Sequence, residues 1–255
     1  MSSNLYQEFY KLYHRKVAWI APFMMIFFMI IMGIAMGKSS ERLLVMTAYN
    51  SSQWISLVLI IVGSTFFSME FQNNAILTLL YKASSKWHVY LSKFIVIFIY
   101  DVILHLIAII FTIILSLTPL NNPASWSNIY QYQKPLALNM IMNTGVDMIT
   151  SLLIISLIFL LSCIINSNSA VITINILIIF MGPFVTTNLF WSKSNAMNIL
   201  KWNPLNMTNL TQQYYNYSSY HPVTLLSNMQ LLTGTILYML LFTAFGYLIF
   251  RRKRF

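Results

Sequence analysis

The chain has 255 residues, of which 58% are hydrophobic, 15% aromatic and only 8% charged, with a formal net charge of +10. So little polar surface excludes a water-soluble globular domain and points to a membrane protein. The single cysteine, Cys163, excludes an intramolecular disulfide and a cysteine-based metal cluster.

Before the first long apolar run, Leu5, Phe9, Leu12 and Tyr13 recur at helical spacing with Glu8, Lys11 and Arg15 between them. This pattern predicts an amphipathic helix over 4–16, lying in the membrane interface in contact with lipid. Crossing a hydrocarbon core of ~30 Å takes about 17 to 25 apolar residues. Six runs qualify: Val17 to Gly37, Ser51 to Met69, Phe94 to Leu117, Met140 to Cys163, Ser169 to Phe190 and Met229 to Phe250. The expected fold is therefore all-α and polytopic, a single transmembrane domain over 1–255 with six membrane helices.

The first run ends in Gly33-Ile-Ala-Met-Gly37-Lys38. A P-loop needs four residues before its Gly-Lys pair, between a strand and a helix, and here there are three at the end of an apolar run. Gly33 and Gly37 instead make Gly-x-x-x-Gly, which lets membrane helices pack closely. Between the second and third runs, Ile76, Leu79, Leu80, Ala83 and Trp87 share one helical face, with Lys82 and Lys86 beside it. Such a helix can lie flat on the membrane or seat its apolar face in a groove on another protein. In the third run Asp101 and His105 stand four apart on one face, where they pair with each other or relay protons; Asp147 stands alone in the fourth and suits a solvated or an interhelical hydrogen-bonded site. The fifth run contains Gly182-Pro183, a candidate helix break. The segment 191–228, rich in Asn, Tyr and Pro, reads as turns and short helices.

With the amino terminus cytoplasmic, Lys11, Arg15, Lys16, Lys82, Lys86, Lys93, Arg251, Arg252, Lys253 and Arg254 fall inside. Only Lys38, Arg42, Lys134, Lys193 and Lys201 fall outside. This positive-inside pattern predicts both termini in the cytoplasm and 191–228 as extracellular. The basic tail is then a lipid anchor and no nucleic-acid partner is expected. The histidines at 14, 88, 105 and 221 are scattered, no carboxylate pair shares a segment, and no hydrolase motif occurs, so no catalytic residue and no metal site is expected.

The order of these features resembles the type-2 ABC exporter permeases: an interfacial helix, six spans, Glu70 at the inner end of the second, the Ala75 to Leu80 stripe, Lys93, and Asn203-Pro204 before the sixth. Where that family often has Gly-Thr and Ser-Arg, this chain has Asn74-Ala75 and Ser85-Lys86. The resemblance implies a transport subunit, not an enzyme, that pairs with a second permease copy or a sister permease and binds ABC ATPase subunits. ATP and Mg would be bound by the partner and no cofactor by this chain. The region 70–90 would be a cytoplasmic coupling helix, with Glu70, Ile76, Leu79, Leu80, Lys82 and Lys86 docking the ATPase. The Ile, Asn and Lys-rich composition suggests a bacterial cytoplasmic membrane, where similar small permeases of Gram-positive bacteria export amphipathic peptides such as modulin-type toxins. The alternatives are an ion-coupled secondary transporter using Asp101 and His105, or a membrane-embedded enzyme.

Overall fold

Six helices of the computed structural model, which describes residues 2–36, 40–72, 85–118, 125–191 and 197–253, are long and apolar enough to cross a membrane. They are α2 (Lys16–Met36), α4 (Ser51–Gln72), α5 (Lys86–Ser116), α6 (Leu136–Ile164), α7 (Asn168–Trp191) and α12 (Asn228–Arg252). An amphipathic α1 (Ser2–Tyr13) precedes them and a short α3 (Glu41–Met46) leads into α4. Between α7 and α12 lie four short helices, α8 (Met197–Leu200), α9 (Pro204–Met207), α10 (Leu210–Tyr215) and α11 (Tyr217–Thr224). Among the described residues the only extended pairing is a single bridge between Ile129 and Pro135.

Each apolar run of the sequence becomes one of these helices, and the ends differ where polar residues cap or extend them. The third helix begins at Lys86 instead of Phe94, because the Ser85 side chain accepts the His88 amide at 3.3 Å and caps it there. Trp87 therefore belongs to the first turn of α5, where it meets Tyr247 edge to face at 4.7 Å. The sixth helix starts in a capping box between Ser227 and Gln230.

The helices α4 and α6 form the interior, with α6 packed against α3, α4, α5, α7 and α12. At the end of the bundle that carries α1, Phe67 of α4 stacks on Phe159 of α6 at 4.6 Å, and Tyr90 of α5 meets Phe159 edge to face at 5.7 Å. Gly246 of α12 makes this approach feasible. A side chain there would collide with the Tyr90 hydroxyl and lie in contact with the Leu160 backbone. The outer faces of α2, α7 and α12 carry exposed Phe23, Phe27, Leu177, Phe184, Leu237 and Leu241, suited to lipid or another apolar surface.

Three local readings change in the folded chain. On α1, Leu5, Phe9 and Leu12 pack on the core as expected, but Tyr13 is exposed and Glu8 is buried. The helix is rotated so that Glu8 reaches the ionic partners described below. Second, α7 runs unbroken through Gly182-Pro183, and Leu205 of α9 packs against the open face of Gly182 at 3.3 Å from an ideal Cβ position. Third, residues 197–228 fold back on the bundle: Met207 and Leu210 pack with Leu153, Leu226 and Leu231. Asn203 starts it by capping α9 through the Asn206 amide at 2.9 Å, with Pro204 at the first helical position.

One repair shows how the bundle satisfies its backbone. Pro22 inside α2 has no N–H to offer the carbonyl of Ala18, four residues back, and the Tyr100 hydroxyl of α5 donates to that carbonyl at 2.9 Å. Tyr100→Phe should therefore lower stability by about 1–2 kcal/mol. In a Pro22→Ala background, where the helix supplies its own N–H, the same change should cost measurably less. Equal costs in a double-mutant unfolding cycle would refute the repair.

Candidate functional site

Two clusters of buried charge stand out, one at each level of the bundle. At the α1 end, α1 contributes Glu8 and Lys11, α4 contributes Glu70 and α5 contributes Lys93. The Lys93 ammonium lies 2.7 Å from Glu8 Oε2 and 2.6 Å from Glu70 Oε2; Lys11 lies 2.8 Å from Glu8 Oε1 and 3.0 Å from Glu70 Oε1. Glu8, Glu70 and Lys93 are buried, and Lys93 also sits over the Phe66 ring at 4.8 Å. The four formal charges cancel, and each ammonium bridges both carboxylates. A ring of this kind offsets the cost of desolvation with short contacts that no single pair could supply. Arg15 extends it by donating to the Thr65 carbonyl at 2.8 Å and lying over Phe66 at 5.5 Å.

Burial by itself would lower the Lys11 pKa, but the attraction of Glu70 and then Glu8 outweighs it, so the group lies above the ordinary lysine value. Its folded-state value exceeds the unfolded one, so its contribution is complete below about 10.4 and is lost only as pH rises through the higher folded value. In neutral solution Lys11 is a permanent tie between α1 and α4.

The second cluster joins α5, α6 and α10. His105 Nε2 lies 3.0 Å from Asp147 Oδ2, and its Nδ1 lies 3.1 Å from Asp101 Oδ1 and 2.9 Å from the Asp101 carbonyl. The Thr211 hydroxyl donates to Asp147 Oδ1 at 3.0 Å and is itself 2.9 Å from the Thr150 hydroxyl. Asp147 also lines a polar cavity of about 210 Å³ between α4, α6, α7 and the short helices. Asp147, alone in its own segment, is thus not alone in the fold: α5 brings His105 to it and α10 brings Thr211. Thr150 and Thr211 carry no sequence pattern that marks them, because hydroxyls are common in membrane helices and only the return of 191–228 onto α6 brings them together.

A family model described as ABC-2 family transporter protein matches residues 4–182, more than half of the chain. The chain belongs to the ABC-2 transporter family. The matched range runs from α1 into α7 and contains both charge clusters apart from Thr211. No curated protein matches the chain significantly. The protein is accordingly a membrane-spanning permease component of the ABC transporter type.

Within this ABC-2 permease the residues expected at the docking face divide. Ile76, Leu79, Leu80 and Lys82 lie outside the described residues. Glu70 is buried, with its carboxylate held between Lys93 and Lys11 in the ring. Lys86 donates to the carbonyls of Arg251 and Lys253 at 3.1 and 3.4 Å, where a cation is favoured at the carboxyl end of α12. Gly33 lies on the buried face of α2 with Ala18, Ala21, Met25 and Met29, while Gly37 lies outside the described residues. Among the described residues no group of three or more His, Cys, Asp or Glu could hold a metal ion.

Removing one member of the ionic ring strands the rest. Lys93→Met leaves two carboxylates with one ammonium and should cost about 3–5 kcal/mol. Adding Glu8→Gln to that variant should recover part of the loss. Thermal unfolding in detergent reads both, and a Lys93→Met protein as stable as the parent would show that the ring carries no weight.

Proposed function

We propose that this permease is the membrane half of an ATP-driven exporter, oriented with both termini in the bacterial cytoplasm, and that residues 73–84 dock a separate ATPase subunit. ATP and Mg are bound by that partner. The observation that carries the reading is the clamp at both ends of the segment. Glu70, near the end of α4, pairs at 2.6 Å with Lys93, early in α5, and both are tied to α1 through Glu8 and Lys11. A push on the segment from a closing ATPase would thus move α4, α5 and α1 as one body, which is how a local event becomes a rigid-body shift. The apolar outer faces of α2, α7 and α12 suit lipid and a second permease, either a copy of this chain or a sister.

The cargo in this reading is amphipathic or hydrophobic, with peptides as the favoured class. The experiment is co-purification. Ile76→Asp with Leu80→Asp should abolish recovery of the ATPase subunit while the permease still inserts in the membrane; undiminished recovery would overturn the docking assignment.

A second reading, coupling to an ion gradient, is favoured by the Asp101, His105 and Asp147 cluster alone. The two are separated by the energy source. In proteoliposomes holding both subunits, export should follow ATP and should not follow a pH gradient imposed without ATP. Gradient-driven export would reverse the preference.

A further inference from the structure

A groove of about 210 Å³ lies on the outside of the bundle between α1, α2 and α5, lined by Phe9 and Leu12, Trp19 and Pro22, and Ile103 and Ile107. Two polar groups of its wall are already bonded within the protein: the Trp19 N–H donates to the Tyr13 carbonyl at 2.7 Å, and the Tyr100 hydroxyl to that of Ala18 at 2.9 Å. The surface left to a guest is almost wholly apolar and suits an alkyl chain. Trp19 and Ile103 remain 54% and 46% exposed, so the groove opens sideways and a chain can enter it from the bilayer.

One end of the groove carries the marks of headgroup depth. There Tyr13 and Trp19 meet edge to face at 5.2 Å, two amphipathic rings at the corner where α1 gives way to α2. Lys16 opens α2 at the same corner; it is exposed and stands three residues before Trp19, hence on the Trp19 side of the helix. The chain has five side-chain carboxylates, and none pairs with Lys16. Glu8 and Glu70 are held by Lys11 and Lys93, and Asp101 and Asp147 by His105, while Glu41 opens α3 beyond the opposite end of α4. The amino end of α2 adds its own partial positive charge to this cation.

We propose that this corner binds one anionic phospholipid, its phosphate on Lys16 and the amino end of α2 and one acyl chain in the groove. The phosphate supplies the negative charge that no side chain of the protein offers Lys16, and the chain fills the apolar channel. A lipid without net charge would match the groove and leave Lys16 unanswered; a free phosphate would do the reverse. Bound in this way, the lipid ties α1, α2 and α5 together, whatever the cargo and whatever the energy source.

The test uses the full-length permease in vesicles made mainly of phosphatidylcholine with a minor fraction of phosphatidylglycerol. Bromine, a short-range quencher of tryptophan fluorescence, is placed on the acyl chains of the phosphatidylglycerol or of an equal fraction of the phosphatidylcholine. The Trp19 signal is the difference between the parent and Trp19→Phe. Brominated phosphatidylglycerol should occupy the site about fivefold more than brominated phosphatidylcholine, the effect of one lysine near an anionic headgroup. The preference should fall to parity in Lys16→Gln and weaken in Ile103→Phe, which narrows the groove. It should persist in Arg252→Gln, which removes an exposed charge from α12. Equal quenching by the two lipids, a preference that survives Lys16→Gln, or one lost equally in Arg252→Gln overturns the proposal. Trp19 quenched by neither lipid overturns it too, since protein would then cover the groove.

Discussion

Lys93 is a fully buried ammonium wedged between two carboxylates from different helices, and the arrangement of the α1 end follows from it. A charge removed from water must find opposite charge at short range, and one carboxylate cannot compensate two ammonium groups. The ring therefore needs all four members, which brings α1 under the bundle, turns Glu8 inward against the amphipathic pattern of its own helix, and holds α4 beside α5. Phe66, Phe67, Phe159 and Tyr90 then pack around it, excluding the water that would weaken the contacts.

The same constraint appears at many enclosed polar atoms. Hydroxyls of Thr65, Ser68, Thr112, Thr144, Thr186 and Thr235 bond back to carbonyls of the preceding turn, where a membrane helix can place them at little cost. Tyr100 answers the carbonyl orphaned by Pro22. In the 191–228 segment, Asn206 donates to the carbonyls of Lys201 and Thr224, and Gln213 to that of Leu226, which holds short helices that could not stand alone. Satisfied in this way, the segment becomes a lid over α6 and α12 instead of a loose loop. It delivers Thr211 to Asp147.

The two charge clusters differ in a way that matters for a transporter. The ring at the α1 end is neutral and bridges the helices flanking 73–84, so it suits the transmission of force. The Asp101, His105 and Asp147 cluster lies deep in the helices, and Asp147 borders a cavity of about 210 Å³. The two clusters share α5, which carries Lys93 in one and Asp101 and His105 in the other.

Much of the architecture is legible in the residues alone, because apolar run length and helical periodicity are local properties that the bilayer reads directly. The six helices, the amphipathic α1 and the shared face of Asp101 and His105 all follow from neighbours within a few positions. What only the tertiary structure decided are the partners. Glu8 meets Lys93 across 85 residues, Lys11 meets Glu70 across 59, and His105 meets Asp147 across 42. No local pattern contains those pairings, since a buried charge selects whichever opposite charge the packing brings within reach. Glu70 therefore reads as a surface residue at the end of a span and becomes, once the helices meet, part of the interior.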